Sequence, residues 1–169
     1  RYVDESHAAF VMPPAIQGDA EMETEWRRQV ETAQAAYVAA VEGLSAITTN
    51  AHASEVASCS FDEQRRVLEI TVEELGTRLP VVNGIYADGS LEAARLAKMA
   101  HEGGASALLV FPPGITTFGQ RPEMALEHFR RIADASDLPL ILFQYPLAGG
   151  QGYPLATLLK ILDAVPSVH

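Results

Sequence analysis

The sequence predicts an α/β protein built on a parallel sheet. Short apolar runs alternate with helical segments about five times along its 169 residues. The runs are too continuously apolar for strands with one wet face, as expected where helices cover both faces of a parallel sheet. The connections that follow them are rich in Gly, Pro and small residues. An open doubly wound sheet and a closed barrel both satisfy this alternation, and the pattern alone does not separate them.

Residues 8–12 form the first apolar run, stopped by Pro13-Pro14. A helix is expected over residues 22–41, because Trp26, Val30, Ala33, Tyr37 and Val41 recur at spacings of three and four. Gly43 ends it, and residues 44–48 read as the second strand. Ser60, followed three residues later by Glu63, is a capping box that opens a helix from Phe61 to Leu75, terminated by Gly76. Pro80 then introduces the third strand, Val81 to Ile85, and Ser90 is expected to cap a helix that ends at Gly103-Gly104. Residues 107–111 are the fourth strand, cut off by Pro112-Pro113-Gly114. Residues 115–121 form a connection longer than most and a candidate lid or subunit contact. Pro122 sits where a first-turn proline belongs, and its helix runs to about Ser136. Residues 139–143 are the fifth strand, residues 154–164 the last helix, and residues 166–169 the approach to another strand.

The chain is long enough for one domain with a real core, and its 48% hydrophobic and 20% charged content is that of a globular protein. No apolar run approaches the roughly 20 residues that span a bilayer, and no secretory signal pattern is visible. A formal net charge of −10 argues against nucleic-acid and anionic-membrane partners, which call for clustered Lys and Arg. A small anionic substrate held by a few local donors remains compatible with that charge. The single cysteine, Cys59, forms no internal disulfide, which fits a reducing cytoplasm. With no base beside it, Cys59 reads as a half-buried loop residue and not as a nucleophile.

The stretch richest in chemistry is Thr48-Thr49-Asn50-Ala51-His52-Ala53-Ser54-Glu55. In parallel α/β folds the loop beyond a strand's C-terminal end faces the ligand. Ala51, Ala53 and Ser54 are small enough to let a substrate reach the backbone, while His52 and Glu55 are the loop's titratable groups. His52 either exchanges protons with substrate, since imidazole titrates near neutral pH, or satisfies a strand end. Glu55 is expected to accept amides of its own loop. His52 and Glu55 are spaced as H-x-x-E, but without a third ligand no metal is expected. Asn83 points to the interior or to a neighbouring strand. His101 and His128 lie on helices and read as structural.

From Ser54 onward the order of motifs resembles the dihydrodipicolinate synthase and N-acetylneuraminate lyase family. The residues that carry the resemblance are Ala51 through Glu55 (family G-T-T-G-E), Pro80-Val81-Val82-Asn83-Gly84 (P-V-I-x-G) and Gly104-Ala105-Ser106-Ala107-Leu108-Leu109-Val110 (G-A-D-A-x-L-x). His128-Phe129, Ile132-Ala133 and Leu138-Pro139-Leu140-Ile141-Leu142-Phe143-Gln144-Tyr145-Pro146 continue it (H-F, I-A, L-P-x-x-L-Y-N-x-P). The resemblance implies an eight-stranded β/α (TIM) barrel in which a strand-borne lysine forms a Schiff base with pyruvate or a related 2-keto acid. Residues 1–169 would then be a single partial-barrel domain of about five parallel βα units, truncated before the sixth strand, where the family places that lysine. Lys98 and Lys160 fall on expected surface helices and are not credible amines.

The departures are as informative. The family's two carboxylate-holding threonines align with His52 and Ala53, and its proton-relaying tyrosine with Phe143. Its P-Y-Y turn reads Pro112-Pro113-Gly114, and its arginine is absent from Leu147-Ala148-Gly149-Gly150. Synthesis of dihydrodipicolinate is therefore not expected. If a relay exists, His52 and Tyr145 are its candidates. Ala51, Ala53, Ser54, Glu55, Asn83, Tyr86, Phe143 and Gln144 are the candidate substrate contacts, with Gln144 either bonding a substrate oxygen or locking its turn. Tyr86 and Tyr145 have an alternative as packed aromatics whose hydroxyls are satisfied at the surface. Schiff-base chemistry supplies its own electron sink, so no cofactor is implied. Two readings follow: a lyase of aldolase or dehydratase type acting on a small 2-keto acid, and a noncatalytic partial-barrel binding module. Five βα units leave sheet edges unpaired, so a homo-oligomer is expected.

Overall fold

A computed structural model describes residues 18–25, 28, 43–114 and 121–169. The expected first strand at residues 8–12, most of the helix at 22–41 and residues 115–120 of the long connection lie outside the described residues. The chain divides into two compact units, residues 1–45 and 46–169.

In the first unit, residues 20–25 are helical, so the helix opens two residues earlier than its apolar spacing indicates. The reason is a cap. Asp19 Oδ1 accepts the N–H groups of Glu21 and Met22 at 3.1 and 3.0 Å, and Glu23 Oε1 accepts that of Gly18 at 2.7 Å. Gly43 adopts a left-handed φ of 90°.

The second unit holds a four-stranded parallel sheet in chain order: β1 (Ile47–Thr49), β2 (Val81–Ile85), β3 (Ala107–Val110) and β4 (Leu140–Leu142). The helices α1 (Phe61–Leu75), α2 (Ser90–Glu102), α3 (Pro122–Ala135) and α4 (Leu155–Ala164) alternate with the strands. A fifth strand position is marked by Val168, which bridges Leu140 in parallel. The expected second strand thus starts later, at Ile47. Its ladder opens where the Ile47 N–H donates to the Pro80 carbonyl, and Leu44 stays exposed. Pro80 has no N–H to continue the ladder upstream.

Helix α1 has the limits its signals indicate. Ser60 Oγ accepts the Glu63 N–H at 3.3 Å, and Glu63 Oε2 accepts the Ser60 N–H at 2.8 Å. The Ser60 N–H, and secondly the Ser60 hydroxyl, donate to the Glu63 carboxylate and hold it below its ordinary range. Helix α2 departs from expectation. Its N-cap is Gly89, with no side-chain bond, and Ser90 is its first helical residue. Ser90 Oγ instead lies 3.0 Å from His128 Nδ1 on α3, a tertiary partner that the local pattern does not reveal.

All five residues of β2 are buried, as a central strand covered on both faces requires. The core beneath it joins Leu68 of α1, Ile85, Leu96 of α2, Leu108, Phe129 and Ile132 of α3, Leu140, and Ile161 of α4. Helix α2 packs on α3, and α3 on α4. His101 ties the end of α2 to the turn before β4, its Nδ1 accepting the Asp137 N–H at 3.3 Å. Both helical histidines are structural, as their positions indicate.

Candidate functional site

The C-terminal ends of the four strands bring five rings together. His52 stands in the tight turn His52–Ser54 after β1, and Tyr86 directly follows β2. Phe111 follows β3, while Phe143 and Tyr145 follow β4. Ladder bonds run into these exits, from the Phe111 N–H to Ile85 O at 3.1 Å and from the Phe143 N–H to Val110 O at 2.9 Å. The backbone that carries the rings is therefore a continuation of the sheet. Phe111 touches all four other rings, and His52 touches three, with ring centroids 5.2 Å from Tyr86, 6.0 Å from Tyr145 and 6.3 Å from Phe111. Phe143 lies 4.5 Å from Phe111 and 4.9 Å from Tyr145.

The loop after β1 is held from below. Asn50 takes a left-handed φ of 52°, which asparagine tolerates better than most residues. Its buried Nδ2 donates to Gln64 O and to Asn83 Oδ1, each at 2.8 Å. Gly84 is required here, since a Cβ would overlap the Asn50 carbonyl oxygen and stand 2.8 Å from Ala51 Cα. This close approach fixes where Ala51 and His52 sit. The turn closes through the Ser54 N–H and Oγ, which both donate to the Ala51 carbonyl at 2.9 and 2.7 Å.

The expected contacts divide into two groups. Ala51, His52, Ala53, Ser54, Tyr86, Phe143 and Tyr145 share one edge of the sheet, and the residues of the β1 loop are largely exposed. Asn83 is fully buried; its Oδ1 serves Asn50 and its Nδ2 donates to Gly84 O at 2.9 Å. Gln144 locks its loop: Nε2 donates to Tyr153 O at 3.0 Å and Oε1 accepts the Tyr153 N–H at 2.9 Å. Glu55 does not accept amides of its own loop as expected. It turns the corner with a left-handed φ of 56°, and its carbonyl accepts the Ser58 N–H at 2.8 Å. Among the described residues, no three His, Cys, Asp or Glu side chains converge to hold a metal ion.

Burial, and secondly Tyr86 alongside, raises the pKa of Tyr145. Its hydroxyl is held protonated at neutral pH and can donate a hydrogen bond to a ligand oxygen. Three residues of this architecture escape sequence reasoning. Phe111 passes for the last apolar residue of a strand. Asn50 gains its role from Gln64 and Asn83, 14 and 33 residues away. Tyr153 is fully buried, and its alternation with prolines and glycines gives no hint of that. For Phe111 the available signal is its place directly after β3, where Tyr86 stands after β2.

Parallel strands in unbroken chain order, with aromatic and titratable groups gathered beyond their C-terminal ends, are the arrangement of a β/α-barrel type of protein. More specifically, the chain belongs to the dihydrodipicolinate synthetase family, which matches it over residues 26–168. A 4-hydroxy-tetrahydrodipicolinate synthase of Sphingopyxis alaskensis is 32% identical over 129 residues, covering 75% of this chain and 43% of that protein. One from Desulfotalea psychrophila is 37% identical over 92 residues, covering 54% of this chain and 30% of that protein. Among solved structures, dihydrodipicolinate synthase of Agrobacterium tumefaciens is 28% identical with a TM-score of 0.69, covering 79% of this chain and 43% of that one. The chloride-inhibited enzyme of Acinetobacter baumannii, complexed with pyruvate, is 27% identical with a TM-score of 0.65, covering 72% of this chain and 41% of that one. The chain thus spans less than half the length of these relatives, and its sheet is part of a barrel.

Proposed function

We propose that these residues form one part of a lyase, of aldolase or dehydratase type, acting on a pyruvate-like 2-keto acid through a Schiff base. In this reading residues 1–169 are a single partial-barrel domain, and the amine comes from a lysine outside them. The observation that carries the proposal is the convergence of His52, Tyr86 and Tyr145 beyond the C-terminal ends of β1, β2 and β4 in one parallel sheet. Lys98 on α2 is exposed with its Nζ 3.8 Å from Glu102, and Lys160 on α4 is exposed; both stand within helices and not at a strand end. His52 and Tyr145 exchange protons with the bound keto acid, Tyr145 as donor. The loop of Ala51, Ala53, Ser54 and Glu55 faces its carboxylate, and Phe143 and Tyr86 wall it. Gln144 and Asn83 hold these loops in place. General acid–base groups of this kind contribute roughly 10²–10⁴-fold to rate. A homo-oligomer in the cytoplasm completes the reading; among the described residues, no helix is long and apolar enough to cross a membrane.

A second reading, a noncatalytic partial-barrel binding module, is favoured by the helical placement of both lysines. Borohydride trapping with pyruvate separates the two. The complete encoded polypeptide is expected to gain the mass of one reduced pyruvate adduct on a lysine beyond residue 169, while residues 1–169 alone gain none. No adduct on the complete polypeptide removes the lyase reading.

A further inference from the structure

The ring cluster also carries information about the rest of the substrate. All four strand ends contribute a ring, and successive rings meet at centroid distances from 4.5 to 6.4 Å. Those are the separations at which tilted and edge-to-face aromatic pairs attract. The cluster is only partly self-covered. Phe111 is buried, Tyr86, Phe143 and Tyr145 are half-buried, and His52 is exposed, so ring faces and edges remain open beyond the sheet. Its polar groups are one imidazole and two hydroxyls. Every described Lys and Arg lies on or flanking a helix, and none stands in the first few residues after a strand. Among the described residues, a second carboxylate on the substrate would therefore meet neither an ammonium nor a guanidinium at this wall, in a chain whose net charge is already −10. An uncharged aromatic group would meet ring edges and faces in the geometry rings prefer.

We propose that the wall formed by His52, Tyr86, Phe111, Phe143 and Tyr145 is a subsite for an aryl group on the distal end of a 2-keto acid. This rests on the keto-acid reading above for the other end of the ligand. Phe143 and Tyr86 are its specificity-determining residues, since each presents a half-buried ring flanking the polar pair of His52 and Tyr145.

The test is an NMR titration of the complete encoded polypeptide with three probes. These are 2-oxo-4-phenylbutanoate, 2-oxoglutarate (the same chain with carboxylate in place of phenyl) and 3-phenylpropan-1-ol, which has the ring without the keto acid. The aryl keto acid is expected to bind at least about tenfold more tightly than 2-oxoglutarate, with ring-current shifts on His52, Tyr86, Phe143 and Tyr145. In Phe143→Leu, which keeps an apolar residue of similar size, that preference is expected to fall to about threefold or less. Equal or tighter binding of 2-oxoglutarate, shifts confined to other residues, or no binding of either aryl probe overturns the proposal. If the alcohol shifts the same four residues and the aryl keto acid binds no better than it, the aryl subsite stands and the keto-acid reading fails. If 2-oxoglutarate binds as tightly as the aryl keto acid and the alcohol does not bind, the keto-acid reading stands and the aryl subsite fails.

Discussion

His128 makes the stability of this fold depend on pH in a way that can be calculated. Its ring is 1% exposed, with Nδ1 3.0 Å from Ser90 Oγ and a buried Nε2 that has no partner. Burial lowers its pKa from 6.5 to about 4, against the opposing pull of the Asp88 carboxylate. The folded state therefore holds the neutral ring. Above pH 6.5 neither state binds the proton and the group contributes nothing. As pH falls from 6.5 toward 4 the unfolded chain takes up a proton that the folded chain refuses, so stability is lost progressively. Below about 4 the loss stops growing. A separation of about 2.5 pH units corresponds to about 3 kcal/mol, most of it spent by pH 4.5. His128→Gln removes the titration while keeping a polar partner for Ser90. Urea unfolding of both proteins between pH 7.5 and 4.5 isolates the effect, because the other titrating groups are common to both. The gap between wild type and variant is expected to shift by about 2–3 kcal/mol toward the variant as the solution is acidified. A gap constant to within about 0.5 kcal/mol, or an NMR titration of His128 centred near its ordinary 6.5, would refute the reasoning.

Ser60→Ala removes the capping box and is expected to cost about 1 kcal/mol in denaturant unfolding, with little change at the rings. Gly84→Ala drives a methyl into the Asn50 carbonyl; a loss of about 1–3 kcal/mol and weaker His52–Tyr86 ring contacts in NOE spectra are expected. Gln144→Ala breaks both bonds to Tyr153 and is expected to cost about 2 kcal/mol, with faster amide exchange across residues 144–153.

The parts of this fold that were legible in the sequence are those whose causes are local. Ser60, Glu63 and Gly76 bracket α1 within a few residues, and the apolar run after Pro80 defines β2 without help from elsewhere. Expectation and structure part where the cause is distant. The start of β1 is decided by Pro80 on its neighbouring strand, 33 residues on from Ile47. Ser90 has the composition of a cap but is claimed by His128, 38 residues away. At the candidate site, the placement of His52, Tyr86, Phe143 and Tyr145 beyond strand ends was legible because each follows an apolar run. The sequence could not show that Gln144 and Asn83 spend their amides on Tyr153, Asn50 and Gly84, since side chains of one type serve scaffold and ligand equally well.

The most direct test of the proposed chemistry uses His52→Ala and Tyr145→Phe in the complete encoded polypeptide, with turnover of 2-keto acids and borohydride trapping measured side by side. Loss of roughly 10²–10⁴-fold in turnover, or about 3–5 kcal/mol of barrier, with trapping intact is the expected result for groups that move protons after the amine has added. Turnover equal to wild type in both variants would contradict it, and with it the assignment of this strand-end cluster as the reacting edge.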